Sequence, residues 1–487
     1  MSRVGNRAAI LTLSRLANYG LMLISPVILV RLLSVAQFGR YREFLLYVSL
    51  LQSIAIFSIN DSLLYCMPAH PASRWRTVRQ TAVLIGCSTL ITVAALALLD
   101  RASGGRVVGA LLLPICLYVL FASNLDFWDF YWLTTDRPAL IFVYTTLRLA
   151  TRVGAVLAAA AWTHEVRVII WTLIALEGLR VLGTLLVMII MDRSAAEPPL
   201  PDPWREQLRF CLPSGAASVI STLNRNLGGL VIAKALGAVA LADYTIAKFG
   251  EPVVVTLRNS VSSVVLPEMV QRDRTSRADS LALWRRATVV NTILLFPVVV
   301  LVERFARPLV VTVFASAYAP AALVLQIYML FVVRECFDFA PALRAINCTR
   351  PLVGSNVASI IACGVLLAIL VPMAGVPGAM VAVVAAALVD AVWLGWATMR
   401  SYGVGLGELV PWGSTGRVAA AALLAGAVLA TSAWRQMFGP GGMALAATAY
   451  LAAFVLLLLA LRVPEAYALL AWARRLLPSL HPVSRKA

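Results

Sequence analysis

Apolar runs about twenty residues long follow one another along nearly the whole chain, each closed by a short cap of charged, proline or glycine residues. A run of that length spans the hydrocarbon core of a bilayer as a helix. Across 487 residues, 61% are apolar and only 13% charged, and the mean hydropathy is +0.86. A soluble globule carries about 25% charged residues, so this chain has too few polar groups to cover a water-facing surface. The pattern predicts an all-α polytopic membrane protein with about fourteen transmembrane helices.

Cutting at the polar breaks places these spans near 8–31, 43–66, 80–99, 107–133, 138–163, 168–191, 207–235, 241–267, 286–302, 308–333, 351–372, 376–399, 417–435 and 441–462. The split near 372–376 rests on the turn-like string Val371-Pro372-Met373-Ala374-Gly375-Val376-Pro377-Gly378. Arg3 and Arg7 precede the first run with no small-residue cleavage site after it, which reads as a permanent helix rather than a signal peptide. With the N-terminus inside, the loops on that side hold 24 Lys and Arg against 10 on the other. That asymmetry predicts cytoplasmic termini.

The net charge of +18 does not point to nucleic acid, because the basic residues sit in caps between apolar runs rather than along one stripe. The seven cysteines form no CxxC pair, and His70, His164 and His481 are isolated, so neither a metal site nor a cofactor is expected. Every loop on the outer side is a turn. An integral-membrane glycosyltransferase or polymerase places its catalytic groups on a sizeable outer loop, so no enzyme is expected.

Leu33-Ser-Val-Ala-Gln-Phe38-Gly39-Arg-Tyr41 and Leu236-Gly-Ala-Val-Ala-Leu241-Ala242-Asp-Tyr244 share the pattern L-x-x-x-x-(F/L)-(G/A)-x-Y, six spans apart. An even number of spans preserves orientation, which predicts parallel repeats. The expected layout is a six-helix lobe over 1–192, a Pro-rich linker over 193–206, a second six-helix lobe over 207–400, and two further helices with a basic tail over 401–487.

The string Val30-Arg31-Leu32-Leu33-Ser34-Val35-Ala36-Gln37-Phe38-Gly39-Arg40-Tyr41, then Leu50-Leu51-Gln52 and Leu63-Leu64-Tyr65-Cys66-Met67-Pro68, resembles the opening of bacterial polysaccharide flippases. These form the Wzx-like branch of the multidrug/oligosaccharidyl-lipid/polysaccharide exporter superfamily. The resemblance implies two six-helix lobes around a basic cavity, often with two extra C-terminal helices. It also implies alternating-access transport of a polyprenyl-diphosphate-linked oligosaccharide across the inner membrane, for O-antigen, capsule or exopolysaccharide synthesis. Membrane lipid, a polysaccharide polymerase and glycosyltransferases are the partners it implies. The alternative within the superfamily is a multidrug cation antiporter, whose cavity should be acidic and aromatic.

A charge inside a span is costly unless it meets a partner or a wet cavity. Arg148 and Arg152 lie one turn apart on the fifth span, so they either clamp a diphosphate or pair with acids such as Asp126 and Asp129. In flippases the first, second, seventh and eighth helices line the cavity, which by resemblance adds Arg15, Arg225 and Lys248 as head-group contacts. Arg258 is either a further contact or a residue snorkelling to the interface. Asn224 and Asn226, flanking Arg225, suggest a wetted face with sugar contacts. Trp128, Tyr131 and Trp132 stack either on sugars or in an interfacial belt. Glu177 and Arg180 have the spacing of an intrahelical pair, as do Lys248 and Glu251. Asp61, Glu251 and Asp390 are the carboxylates suited to ion coupling.

Overall fold

The computed structural model describes residue 20 and residues 23–135, 137–192, 203–428 and 440–468, which are helical with no strand among them. Contacts divide the chain into two compact units, Met1–Ala242 and Asp243–Ala487.

The first unit contains α1 (Leu23–Leu32), α2 (Val35–Ile56), α3 (Leu63–Ala69), α4 (Arg74–Ala102), α5 (Leu112–Ser123), α6 (Trp128–Thr134), α7 (Pro138–Thr163), α8 (Val166–Asp192) and α9 (Pro203–Ala235). A following helix, α10 (Gly237–Ala247), carries the unit boundary. Ser34 starts α2 with a capping box, its hydroxyl accepting from the Gln37 backbone N–H while the Gln37 side chain accepts from that of Ser34. The second span therefore begins eight residues earlier than its apolar run suggests, at Val35 rather than 43. It is also broken. Phe57 and Ser58 take positive φ (42° and 54°), and α2 meets the Asn60–Ala69 segment at a 46° bend.

Gly215 of α9 accommodates that break, since a Cβ there would lie 2.3 Å from the Phe57 ring and 2.5 Å from the Phe57 carbonyl oxygen. At the start of α9, Gln207 donates to Ser62 Oγ and Thr81 Oγ1, both at 2.7 Å, and accepts from Gln80 at 2.9 Å. Glu206 meets His70 at 2.9 Å. At its end Lys234 donates to the carbonyls of Arg106 and Val107. These bonds explain why α9, assigned by the sequence to a second lobe, groups by contact with the first unit. Of the expected linker, residues 193–202 lie outside the described residues, and 203–206 already belong to α9.

The second unit continues with α11 (Glu251–Asp273), α12 (Arg277–Val313), α13 (Ala321–Glu335), α14 (Ala340–Ala345), α15 (Arg350–Tyr402), α16 (Leu406–Leu409), α17 (Trp412–Val428) and α18 (Pro440–Ala460). The 53-residue α15 contains two spans, because Gly375 (φ 60°, ψ −134°) interrupts it inside the turn-like string. Pro308, where the sequence opens a tenth span, is instead inside α12, and the tenth begins at Ala321. Proline is tolerated within a membrane helix when neighbours satisfy the freed carbonyl. Val289 of α12 packs with Val418, Ala421, Ala422 and Ala425 of α17 and Tyr450, Phe454 and Leu458 of α18, forming one core.

Eight helices are long and apolar enough to cross a membrane, or nine with the bent second span, among the described residues. The remaining expected spans correspond to the second span within α15, the polar α9, the shorter α13, and the described parts of α1 and α17. Large apolar side chains such as Leu98, Val264 and Val392 point outward, as they do on a surface solvated by hydrocarbon rather than water.

Candidate functional site

In the first unit a charge network forms where the fourth span breaks. Helix α5 ends at Ser123, Leu125 takes a positive φ of 54°, and α6 starts at Trp128. The carbonyls left open at the end of α5 receive the Arg180 guanidinium: Nη2 donates to Phe121 O at 2.6 Å and Asn124 O at 3.0 Å, and Nη1 to Leu125 O at 2.9 Å. A cation at a helix C-terminus also meets the negative end of its dipole. Arg180 Nε holds Glu177 Oε2 at 2.6 Å, the intrahelical pair expected from their spacing.

Glu177 is shared. Arg148 Nη2 lies 3.3 Å from it, and Arg148 Nη1 lies 2.7 Å from Asp126 Oδ1. Arg148 is therefore an ion-paired cation, the alternative its sequence left open beside a diphosphate clamp. The acids that hold it come from the α5–α6 break and from α8, elements that helical spacing along α7 does not reveal.

Arg152, one turn on, forms no ion pair among the described residues, although Glu177 lies within electrostatic range of it. Its guanidinium carbon lies 5.8 Å from the centre of the buried Tyr118 ring, within cation–π range. Tyr118 packs edge-on to Phe44. Tyr41, also buried, lies within electrostatic range of both Arg152 and Arg42. Arg42 is half-buried on α2 and likewise has no ion pair among the described residues. The sequence reading missed it by starting the second span at residue 43. The Ser34-x-x-Gln37 capping box was the signal that puts Arg42 in a helix. Arg225 is exposed on α9 with no ion pair among the described residues, between half-buried Asn224 and Asn226; the Asn226 amide donates to Thr222 O. Arg15 lies outside the described residues.

The second unit repeats the arrangement. Its broken tenth span carries Phe337-Asp338-Phe339, as the fourth carries Leu125-Asp126-Phe127. Arg258 pairs with Glu335 and sits 3.7 Å from Asp338. Arg334 pairs with Glu335 at 2.7 Å and with Asp390. Lys248 closes a 2.9 Å bridge to Glu251 and sits over the Tyr244 ring. Lys248 and Arg258 are thus matched cations, and Glu251 and Asp390 are matched anions; for Lys248 and Glu251 this is the intrahelical pair their spacing allowed. Asp61 alone of the three coupling candidates is exposed and without an ion pair among the described residues.

The aromatic run is core. Trp128 is buried, donates to Thr184 at 3.3 Å and stacks on Trp132 at 5.2 Å. Tyr131 sits edge-on to Trp75 and Trp128. Trp132 packs edge-on to Tyr144. The stack leaves Trp128 no face for a sugar, while Tyr131 and Trp132 are half-buried. Among the described residues no cluster of histidine, cysteine or acidic side chains has the makings of a metal site.

This helical fold is also found in solved structures of a flippase and of a multidrug transporter. It is similar to the lipid II flippase MurJ in an inward closed conformation, with a TM-score of 0.68 and 14% identity over 93% of this chain and 97% of that one. An inward-facing multidrug resistance MATE family transporter of the MOP superfamily follows at 0.54 and 15%, over 80% and 94%. No curated protein matches the sequence significantly. The profile of the family described as polysaccharide biosynthesis protein matches residues 28–323, more than half of the chain, and the protein belongs to that family. The matched region includes the opening strings on which the resemblance rested.

Proposed function

We propose that this multi-pass membrane protein moves a polyprenyl-diphosphate-linked oligosaccharide across the bacterial inner membrane by alternating access, with both termini cytoplasmic. The observation that carries the reading is the contrast between matched and unmatched arginines. Asp126 and Glu177 hold Arg148 and Arg180, whereas Arg42 and Arg152 near Tyr41 form no ion pair among the described residues. Two unmatched guanidiniums in a membrane-spanning bundle favour an anion, and a diphosphate supplies oxygens for planar, bidentate hydrogen bonding. Arg225 and, by the family resemblance, Arg15 are the further head-group contacts, with Asn224 and Asn226 as contacts for the first sugar. Family membership supports a substrate from surface-polysaccharide synthesis, which makes glycosyltransferases the source of the substrate and a polymerase its consumer. Asp61 is the carboxylate left for ion coupling. A drug-cation antiporter is the weaker reading, because Arg42, Arg152 and Arg225 repel cations.

The test is complementation. Cells lacking the gene should accumulate the lipid-linked intermediate and lose the surface glycan. Wild type should restore both, and an Arg42→Ala, Arg152→Ala double variant present at normal levels should restore neither. Full restoration by that variant contradicts the assignment.

A further inference from the structure

The second unit contains a cavity of about 660 Å³ that no ion pair fills, lined by Asp243, Arg307, Gln326, Leu323, Pro320 and Pro377 among others. That volume lies in the range of small-ligand sites, about 300–1,000 Å³. Asp243 of α10, Arg307 of α12, the end of the Phe314–Pro320 connection with the first turns of α13, and the turn after Gly375 build it. The Gly375 backbone, at φ 60° and ψ −134°, suits only glycine and aims Val376 and Pro377 at the cavity wall.

Asp243 and Arg307 line the cavity together, yet they form no ion pair with each other or with any described residue. Asp243 Oδ1 is buried and accepts no hydrogen bond among the described residues. An acceptor this deep without a partner is costly. Arg307 offers donors across the same space, and Gln326, whose Nε2 donates to Glu303 O, keeps its amide oxygen as an acceptor. Prolines and Leu323 supply apolar wall. A rim of donors and acceptors around an apolar floor suits a sugar ring, which is hydroxylated at its edge and carries C–H groups on its faces. The Asp243 carboxylate disfavours a diphosphate, and the charges disfavour an acyl chain.

Alternation of α11, α12, α13 and the two halves of α15 puts the Phe314–Pro320 connection and the Gly375 turn at one end of the unit. The other end carries Arg272, Arg274, Arg277, Arg344, Arg350 and Arg400. The basic end is the cytoplasmic one, so the cavity opens to the outside. We infer that it is an exit-side site for sugar rings of the transported glycan, a site distinct from the diphosphate contacts. The inference rests on the function proposed above and on that orientation.

Binding to the full-length protein in nanodiscs tests it, with two probes: oligosaccharides released by mild acid from the lipid-linked pool of the producing cells, and inorganic pyrophosphate. Wild type should bind both. Asp243→Asn, which keeps the side-chain shape, and Leu323→Trp, which narrows the cavity from an exposed position, should each weaken oligosaccharide binding at least tenfold and leave pyrophosphate binding unchanged. Oligosaccharide binding that is absent in wild type, or equal in wild type and both variants, overturns the exit site. Pyrophosphate binding that is absent in wild type, with oligosaccharide binding still sensitive to Asp243, would instead overturn the diphosphate reading and leave the exit site standing.

Discussion

Arginines of the first unit fall into two kinds, those held in ion pairs, such as Arg148 and Arg180, and those without one among the described residues, such as Arg42 and Arg152. Arg180 is nearly enclosed and closes the carbonyls at the end of α5 while holding Glu177. Removing one partner of a buried pair costs about 3–5 kcal/mol. Arg180→Ala should therefore lower the unfolding midpoint in detergent sharply and reduce the amount of protein in the membrane. Arg152→Ala leaves no buried carboxylate behind, so its midpoint should stay close to wild type while glycan export falls at least tenfold. Equal thermal losses in the two variants would refute the division between structural and binding arginines. The Glu177–Arg180 pair was readable from the sequence because both ends lie on one helix. For Arg148 the sequence offered Asp126 only as one alternative and did not offer Glu177 at all, since helical spacing says nothing about neighbours across a bundle.

At the scale of elements, the spans are readable and their interruptions only partly so. Hydropathy marked the long helices, and the string around Gly375 marked the turn inside α15. The breaks at Phe57–Ser58 and Asn124–Phe127 carry no glycine or proline. They are paid for by tertiary partners, Gly215 of α9 and Arg180 of α8. Glycines that admit backbone are correspondingly intolerant. A Cβ on Gly39 would lie 1.8 Å from the Ala238 carbonyl oxygen. Gly39→Val should force α2 away from the start of α10 and abolish stable folding, seen as loss of a monodisperse peak in size-exclusion chromatography. Gly375→Ala meets no neighbour but must hold a backbone conformation that costs about 1–3 kcal/mol without glycine, a moderate drop in melting temperature.

Across the whole chain, the duplication is deeper than the short string that first suggested it. Each half breaks its fourth span at an Asp-Phe pair, Asp126-Phe127 and Asp338-Phe339, and ties that region through arginine to an acid on its sixth span, Glu177 and Asp390. The repeat at Leu33 and Leu236 was visible because its residues are contiguous. The repeated charge network was hidden, because its members are scattered over several helices and the basic partners differ. Duplicated design predicts parallel behaviour: Asp126→Asn and Asp338→Asn should each leave buried arginine undermatched and lower the melting temperature by similar amounts.

The central claim is that unmatched arginines carry a diphosphate-linked glycan across the bilayer. Proteoliposomes loaded with a fluorescent polyprenyl-diphosphate oligosaccharide, with the outer leaflet read by an impermeant quencher, test it most directly. Wild type should render nearly all of the label quenchable, whereas Arg42→Ala, Arg152→Ala protein of normal melting temperature should leave the inner-leaflet half protected. Translocation by the double variant at the wild-type rate, or none by wild type, would contradict the account.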